Sequence, residues 1–285
     1  LNIDVPYTLN TKKFLMKNTR LLFALSVLIL MIPPTSHGHD LWSQTNTSIV
    51  RTGEVVHVDL CLGNHGNHHR DFLLAGRVSL DWITADLIKT DGTRVDLRER
   101  MTATASAEKE GCWTCPVVAE TPGVHCVAIA LDRVMQHGKS IRGVRTAKSY
   151  FLSSDSLDDA LIVEHAHQKP LGSPFELVLK TCPFTETRVG QPIEVQVLHH
   201  GKPIADVVVS FVPQGTMLAG EFDSNYEFRS DNDGMVQFVP EVGNRYLIVA
   251  HHTADDEKTD EYESTSYAST ITLQVPIRAT WASVK

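Results

Sequence analysis

The chain has 285 residues, with 26 Lys and Arg against 34 Asp and Glu and a formal net charge of −8 at pH 7. Lys12, Lys13, Lys17, Arg20 and Asp4 all precede residue 39, so the chain from His39 onward is more acidic still, at −11, which speaks against nucleic acid or an anionic membrane as partner. No stretch beyond residue 38 approaches the roughly 20 apolar residues that a bilayer-spanning helix needs, so no stable membrane anchor is expected.

The first element is a basic stretch, Lys12 to Arg20, followed by an apolar run, Leu21 to Ile32, interrupted only by Ser26, and then by Pro33, Pro34, Thr35 and Ser36. That is the layout of a secretory signal peptide, with Met16 as its natural start, and it predicts a periplasmic or secreted protein. Ser36 and Gly38 supply the small residues a signal peptidase selects, making His39 the expected first residue of the mature chain. Cleavage before His37 is the alternative. A terminal histidine can chelate one ion through its α-amino group and Nδ1, and a histidine in third position, as a start at His37 would give, can complete a square plane around Cu²⁺ or Ni²⁺.

After the signal, apolar residues recur with a period of two. Val55 to Cys61, Val124 to Ile129, Ile193 to Leu198 and Ile271 to Val275 all read as half-buried strands. Thr90-Asp91-Gly92, Pro122-Gly123, His200-Gly201-Lys202-Pro203 and Asp231-Asn232-Asp233-Gly234 punctuate them as turns. The pattern predicts an all-β chain with two consecutive Ig-like or transthyretin-like β-sandwich domains. Their expected bounds are 39–155 and 171–285, with a linker at 156–170. The acidic segment 253–266, too polar to pack, is expected to be a mobile excursion between the last two strands.

Fourteen histidines fall mostly into short clusters. Imidazole is the commonest protein ligand for nickel, copper and zinc. His65, His68 and His69 occupy a glycine-containing segment with no apolar residue, directly after the Val55–Cys61 strand. With His39 they form the first candidate metal site, and His251, which Asp255, Asp256 or Glu261 could assist, joins it. His199-His200 reads as an exposed hairpin end, His165 and His167 as linker residues, and His57, His125 and His137 as structural histidines. Cys61 and Cys126 sit in alternating runs and could pair across a sheet; Cys112-Trp113-Thr114-Cys115 has the spacing of a redox or zinc half-site, though one such pair alone is a weak signal. There is no Ser-His-Asp spacing, phosphate-cradling glycine loop or carboxylate pair in an apolar context, so no enzyme is expected.

His37-Gly38-His39-Asp40-Leu41-Trp42, followed by Arg51-Thr52-Gly53-Glu54-Val55-Val56-His57-Val58, resembles the opening of the domain-of-unknown-function family 4198. The likeness continues through Ala147-Lys148-Ser149-Tyr150-Phe151 and Gly190-Gln191-Pro192 to Tyr267–Leu273. It implies an exported two-domain bacterial protein, and, since some members are nickel-uptake accessory components, a metal-transporter component as partner. The histidine-rich 65–69 segment departs from the commoner pattern. Residues 174–277 also resemble collagen-binding-B and carboxypeptidase-regulatory-like modules, which implies a non-catalytic sandwich. The expected function is therefore non-catalytic binding of nickel, cobalt or copper, and the alternative is a structural or protein-interaction module with solvated histidines.

Overall fold

A computed structural model describes residues 39–63, 77–105, 107, 110–157 and 166–278. The strands in chain order are β1 (Asp40–Thr45), β2 (Ile49–Arg51), β3 (Val55–Gly63), β4 (Ile83–Ile88), β5 (Arg94–Asp96), β6 (Thr102–Ala103), β7 (Trp113–Val118), β8 (Gly123–His137) and β9 (Lys139–Ser154). The second half adds β10 (Phe175–Leu179), β11 (Ile193–His199), β12 (Lys202–Pro203), β13 (Val208–Pro213), β14 (Glu227–Arg229), β15 (Met235–Phe238), β16 (Asn244–Ala254) and β17 (Ser264–Val275). Helical structure among the described residues is confined to short 3-10 turns, as the period-two pattern requires.

Among the described residues these strands form three sheets. One is β1-β3-β7-β6, another is β10-β11-β12 with β15 on β11, and the third runs β14-β13-β16-β17-β9-β8-β4-β5 with β2 also on β9. The all-β class and the succession of two sandwich cores agree with the sequence pattern. One core gathers Leu41, Val56, Val58, Leu60, Ile83, Leu87, Val117, Ile129 and Phe151. The other gathers Phe175, Leu177, Val195, Val197, Phe211, Phe238, Tyr246, Ile248 and Tyr267.

The two cores share the third sheet. Successive residues of a strand point to opposite faces, and β9 sends Phe151 to the first core but Tyr150 and Leu152 to the second. β16 behaves alike: Tyr246, Ile248 and Ala250 enter the second core, while Leu247 packs with Trp42, Cys61 and Cys112. The sheet is continuous because β17 pairs with β9 in parallel, Ser264↔Ile141 through Thr272↔Ser149. The 156–170 division expected from sequence falls between β9 and β10, but no break in this sheet accompanies it, and residues 158–165 lie outside the described residues.

Polar contacts hold the layers. Thr270 Oγ1 donates to the Leu41 carbonyl at 2.8 Å, and the Ser43 and Ser149 hydroxyls meet at 3.0 Å, which seats β1 on the shared sheet. On the other face, Lys148 Nζ donates to the Leu177 carbonyl at 2.8 Å. Its partner Glu176 accepts the N–H groups of Leu171, Gly172 and Ser173 at 2.6, 3.1 and 3.3 Å, fixing the approach to β10.

Candidate metal centre

Two features bring the histidines of the second half together. The first is the hairpin between β11 and β12, where Leu198 faces Pro203 and His199 faces Lys202, leaving His200-Gly201 as a two-residue loop. Both loop residues have positive φ, 50° and 75°, the requirement of a type I′ turn. Adjacent residues of a straight strand would point apart; the left-handed backbone at His200 turns its ring back over His199, with ring centroids 4.2 Å apart. The second is the β16–β17 ladder, in which His252 faces Tyr267. Phe175 lies beneath, stacked on His252 at 5.8 Å, and His252 meets His199 edge-on at 4.9 Å.

Glu257, in the acidic segment between β16 and β17, reaches into this cluster. Its Oε1 is 3.1 Å from His199 Nε2 and 2.8 Å from His200 Nε2. Its Oε2 accepts the Tyr267 hydroxyl, and its carbonyl accepts Thr265 Oγ1 at 3.0 Å. The segment is thus tied to the sandwich at Glu257. His199 and His200 with Glu257 form a group whose ligand atoms all lie within 4.8 Å of one another. His199 Nε2 is buried, and although close to the carboxylate it makes no hydrogen bond to it.

The electrostatics keep the donors available. Burial lowers the pKa of His199, and the neighbouring His200 and His252 lower it further, so the ring is neutral at pH 7. Burial also lowers His252. For Glu257 burial pushes upward, but hydrogen bonds from Tyr267 and His200 outweigh it and hold the carboxyl below its ordinary value. Two imidazoles and one carboxylate are a donor set of intermediate softness that suits divalent first-row transition metals. Cis ligands at right angles on bonds of about 2.0–2.2 Å are separated by about 2.8–3.1 Å, which matches the spacings of 3.1 and 2.8 Å between Glu257 and the two rings.

His251, next to His252, points to the opposite face of the sheet, where its Nε2 hydrogen-bonds Asp40 Oδ1 at 2.7 Å. Burial lowers its pKa, but the charge and hydrogen bond of Asp40 prevail and the net shift is upward; Arg145 opposes them. Asp40 follows His39 in the chain and faces Gly63 in the β1–β3 ladder. His65, His68 and His69 themselves lie outside the described residues, as does His165. His125 is structural: it is buried, stacks on Phe151 at 4.8 Å and bonds the Thr121 carbonyl at 2.8 Å.

The sequence singled out neither the pair His199-His200 nor Glu257 as ligands. The signal was present in His200-Gly201, a dipeptide that fits a two-residue hairpin only with both residues left-handed. The acidic partner was sought among Asp255, Asp256 and Glu261 and assigned to His251, on the other face of the sheet. Cys61 and Cys126 do not meet either, for Cys61 packs with Trp42 and Leu247 whereas Cys126 packs against the second core.

The family model of the domain of unknown function DUF4198 matches residues 36–254. No curated protein matches the chain. Among solved structures, the D0–D1 domain of intimin is similar, with 12% identity over 83% of this chain and 98% of that one, at a TM-score of 0.21. A DUF4785 family protein from Legionella pneumophila shares 11% identity over 73% of this chain and 52% of that one, at 0.25. The ectodomain of mouse nectin-like molecule 4 shares 8% identity over 86% and 66%, at 0.21.

Proposed function

Because the chain belongs to the DUF4198 family, whose description assigns no chemistry, its role is read from its own side chains, and we propose that it is a non-catalytic binder of a divalent transition metal. The ion is nickel, cobalt or copper, held by His199, His200 and Glu257. The observation that carries this reading is the convergence of two imidazole Nε2 atoms on a single carboxylate oxygen, at 3.1 and 2.8 Å. The protein works outside the cytoplasm, where it supplies metal to an uptake system.

Calorimetry on tag-free protein with Ni²⁺, Co²⁺ and Cu²⁺ tests it. The His199–His200–Glu257 site should take up one ion per chain, weakened at least tenfold by Glu257→Gln and lost in His199→Ala with His200→Ala, apart from any ion held at the chain terminus. Unchanged binding in these variants would remove the site, and a metal-free wild-type protein would leave a structural or interaction module as the function.

A second site, the terminal chelate at His39, is favoured by the contact between His251 and Asp40, the residue next to His39. Residues added before His39 should weaken this site and leave the first untouched. The double histidine variant should do the reverse.

A further inference from the structure

Cys61 lies on β3 opposite Trp42 of β1. On its other side it stands one step beyond the last ladder pair with β7, Leu60↔Trp113, and the residue at that step is Cys112. Cys112 continues the line of β7: the Thr104 N–H donates to its carbonyl at 2.9 Å, and its own N–H donates to Thr104 Oγ1 at 2.9 Å. Directly opposed residues of antiparallel strands have Cα atoms about 4.5–5.5 Å apart, within the range of about 4.4–6.8 Å that a disulfide bridges. Both side chains enter one small cluster with Trp42 and Leu247, at 1% and 4% exposure.

The remaining cysteines are placed elsewhere. Cys115 is three positions from Cys112, an odd spacing that turns it to the opposite face of β7 and into the first core. The Cys-x-x-Cys spacing therefore does not bring its own two sulfurs together. Cys126 and Cys182 belong with the second core.

We propose that Cys61 and Cys112 are a dithiol pair that closes into a cross-strand disulfide by exchange with an external disulfide, a thiol oxidoreductase or a small-molecule disulfide. The Cys112 thiolate attacks one sulfur of that disulfide and expels the other as a thiolate. Cys61, giving its proton to the departing thiolate, then attacks the Cys112 sulfur of the mixed disulfide. The Cys61–Cys112 bond forms, the oxidant leaves as one thiolate and one thiol, the thiolate takes up the proton that Cys112 gave to solvent on ionising, and two electrons pass to the oxidant. Cys112 is suited to open the sequence, because the hydrogen bond from Cys61, aided by Thr104, lowers its pKa to about 7 against the opposing effect of burial. The same bond and burial push Cys61 upward. Trp42 and Leu247 cover both sulfurs in the finished fold, so exchange takes place after β3 and β7 have met and before that cover closes. The product staples β7 to β3 beside the strand that opens the fold, whether or not metal binds.

Full-length protein, reduced and unfolded, is refolded with a mixture of reduced and oxidised glutathione, denatured, alkylated and digested for mass spectrometry. Three of the five cysteines should alkylate, and the digest should contain one peptide pair joined through Cys61 and Cys112. Cys115→Ser should keep that linkage. Alkylation of all five cysteines after oxidative refolding, or a linkage from Cys112 to any cysteine other than Cys61, would overturn the proposal.

Discussion

Lys148 and Glu176 form an ion pair at 2.5 Å with side-chain exposures of 3% and 1%, buried between the shared sheet and β10. Such a pair gains little over an apolar replacement, yet leaving one charge without the other is costly. Glu176→Gln or Lys148→Met alone should each lose about 3–5 kcal/mol in urea unfolding. The double replacement Lys148→Met with Glu176→Leu should recover much of that loss, although the N–H groups of Leu171, Gly172 and Ser173 would then lack their acceptor.

His200 holds a left-handed backbone with φ of 50°, a conformation that costs a side chain with a Cβ about 1 kcal/mol and that asparagine tolerates better. His200→Asn should therefore stabilise the fold by about 0.5–1 kcal/mol in thermal or urea unfolding. The same replacement should weaken metal binding at least tenfold. A variant that loses both stability and metal would show that the ring supports the hairpin rather than an ion.

The histidines should titrate on opposite sides of the ordinary value of about 6.5. In NMR titrations of metal-free protein, His199 and His252 should have midpoints below it and His251 above it. For the first two the unfolded chain binds more protons, so their contribution to stability is complete above about 6.5 and diminishes as the pH falls toward their folded midpoints. For His251 the folded chain binds more, so its contribution is complete below about 6.5 and is lost as the pH rises through its folded midpoint. Asp40→Asn should bring the His251 midpoint down.

Gly234 closes the turn before β15 with φ of 71°, and a Cβ there would lie 2.5 Å from the Val197 carbonyl oxygen of β11. Gly234→Ala combines an unfavourable dihedral with a collision against backbone. It should destabilise by about 2–3 kcal/mol in urea unfolding, more than an ordinary surface substitution.

The strands and turns were legible because a period of two and an Asp-Gly turn are local signals, and Gly234 stands where that reading put it. The shared sheet was not. Nothing near Ile141 or Ser264 records that these residues pair in parallel, since each strand alternates the same way whichever neighbour it finds. His199 and His200 were legible as a pair, but strand parity taken alone separates adjacent rings, and only the left-handed hairpin residue reunites them. Glu257 could not be told from the acids around it, because its selection depends on Tyr267 and Thr265, which return from the next strand.

The parallel pairing of β17 with β9 also sets an order of events. Partners such as Thr146 and Ser269 are 123 residues apart in the chain. During translation β9 is finished while its partner does not yet exist, and only the Leu152–Ser154 end of that flank can be capped early, by β2. The stretch from Ile141 to Ser149 keeps a row of unmet amide and carbonyl groups, a template for any other extended chain. The last strand acts as a late seal, and a nascent chain stalled short of Ser264 would present a sticky flank to its own kind.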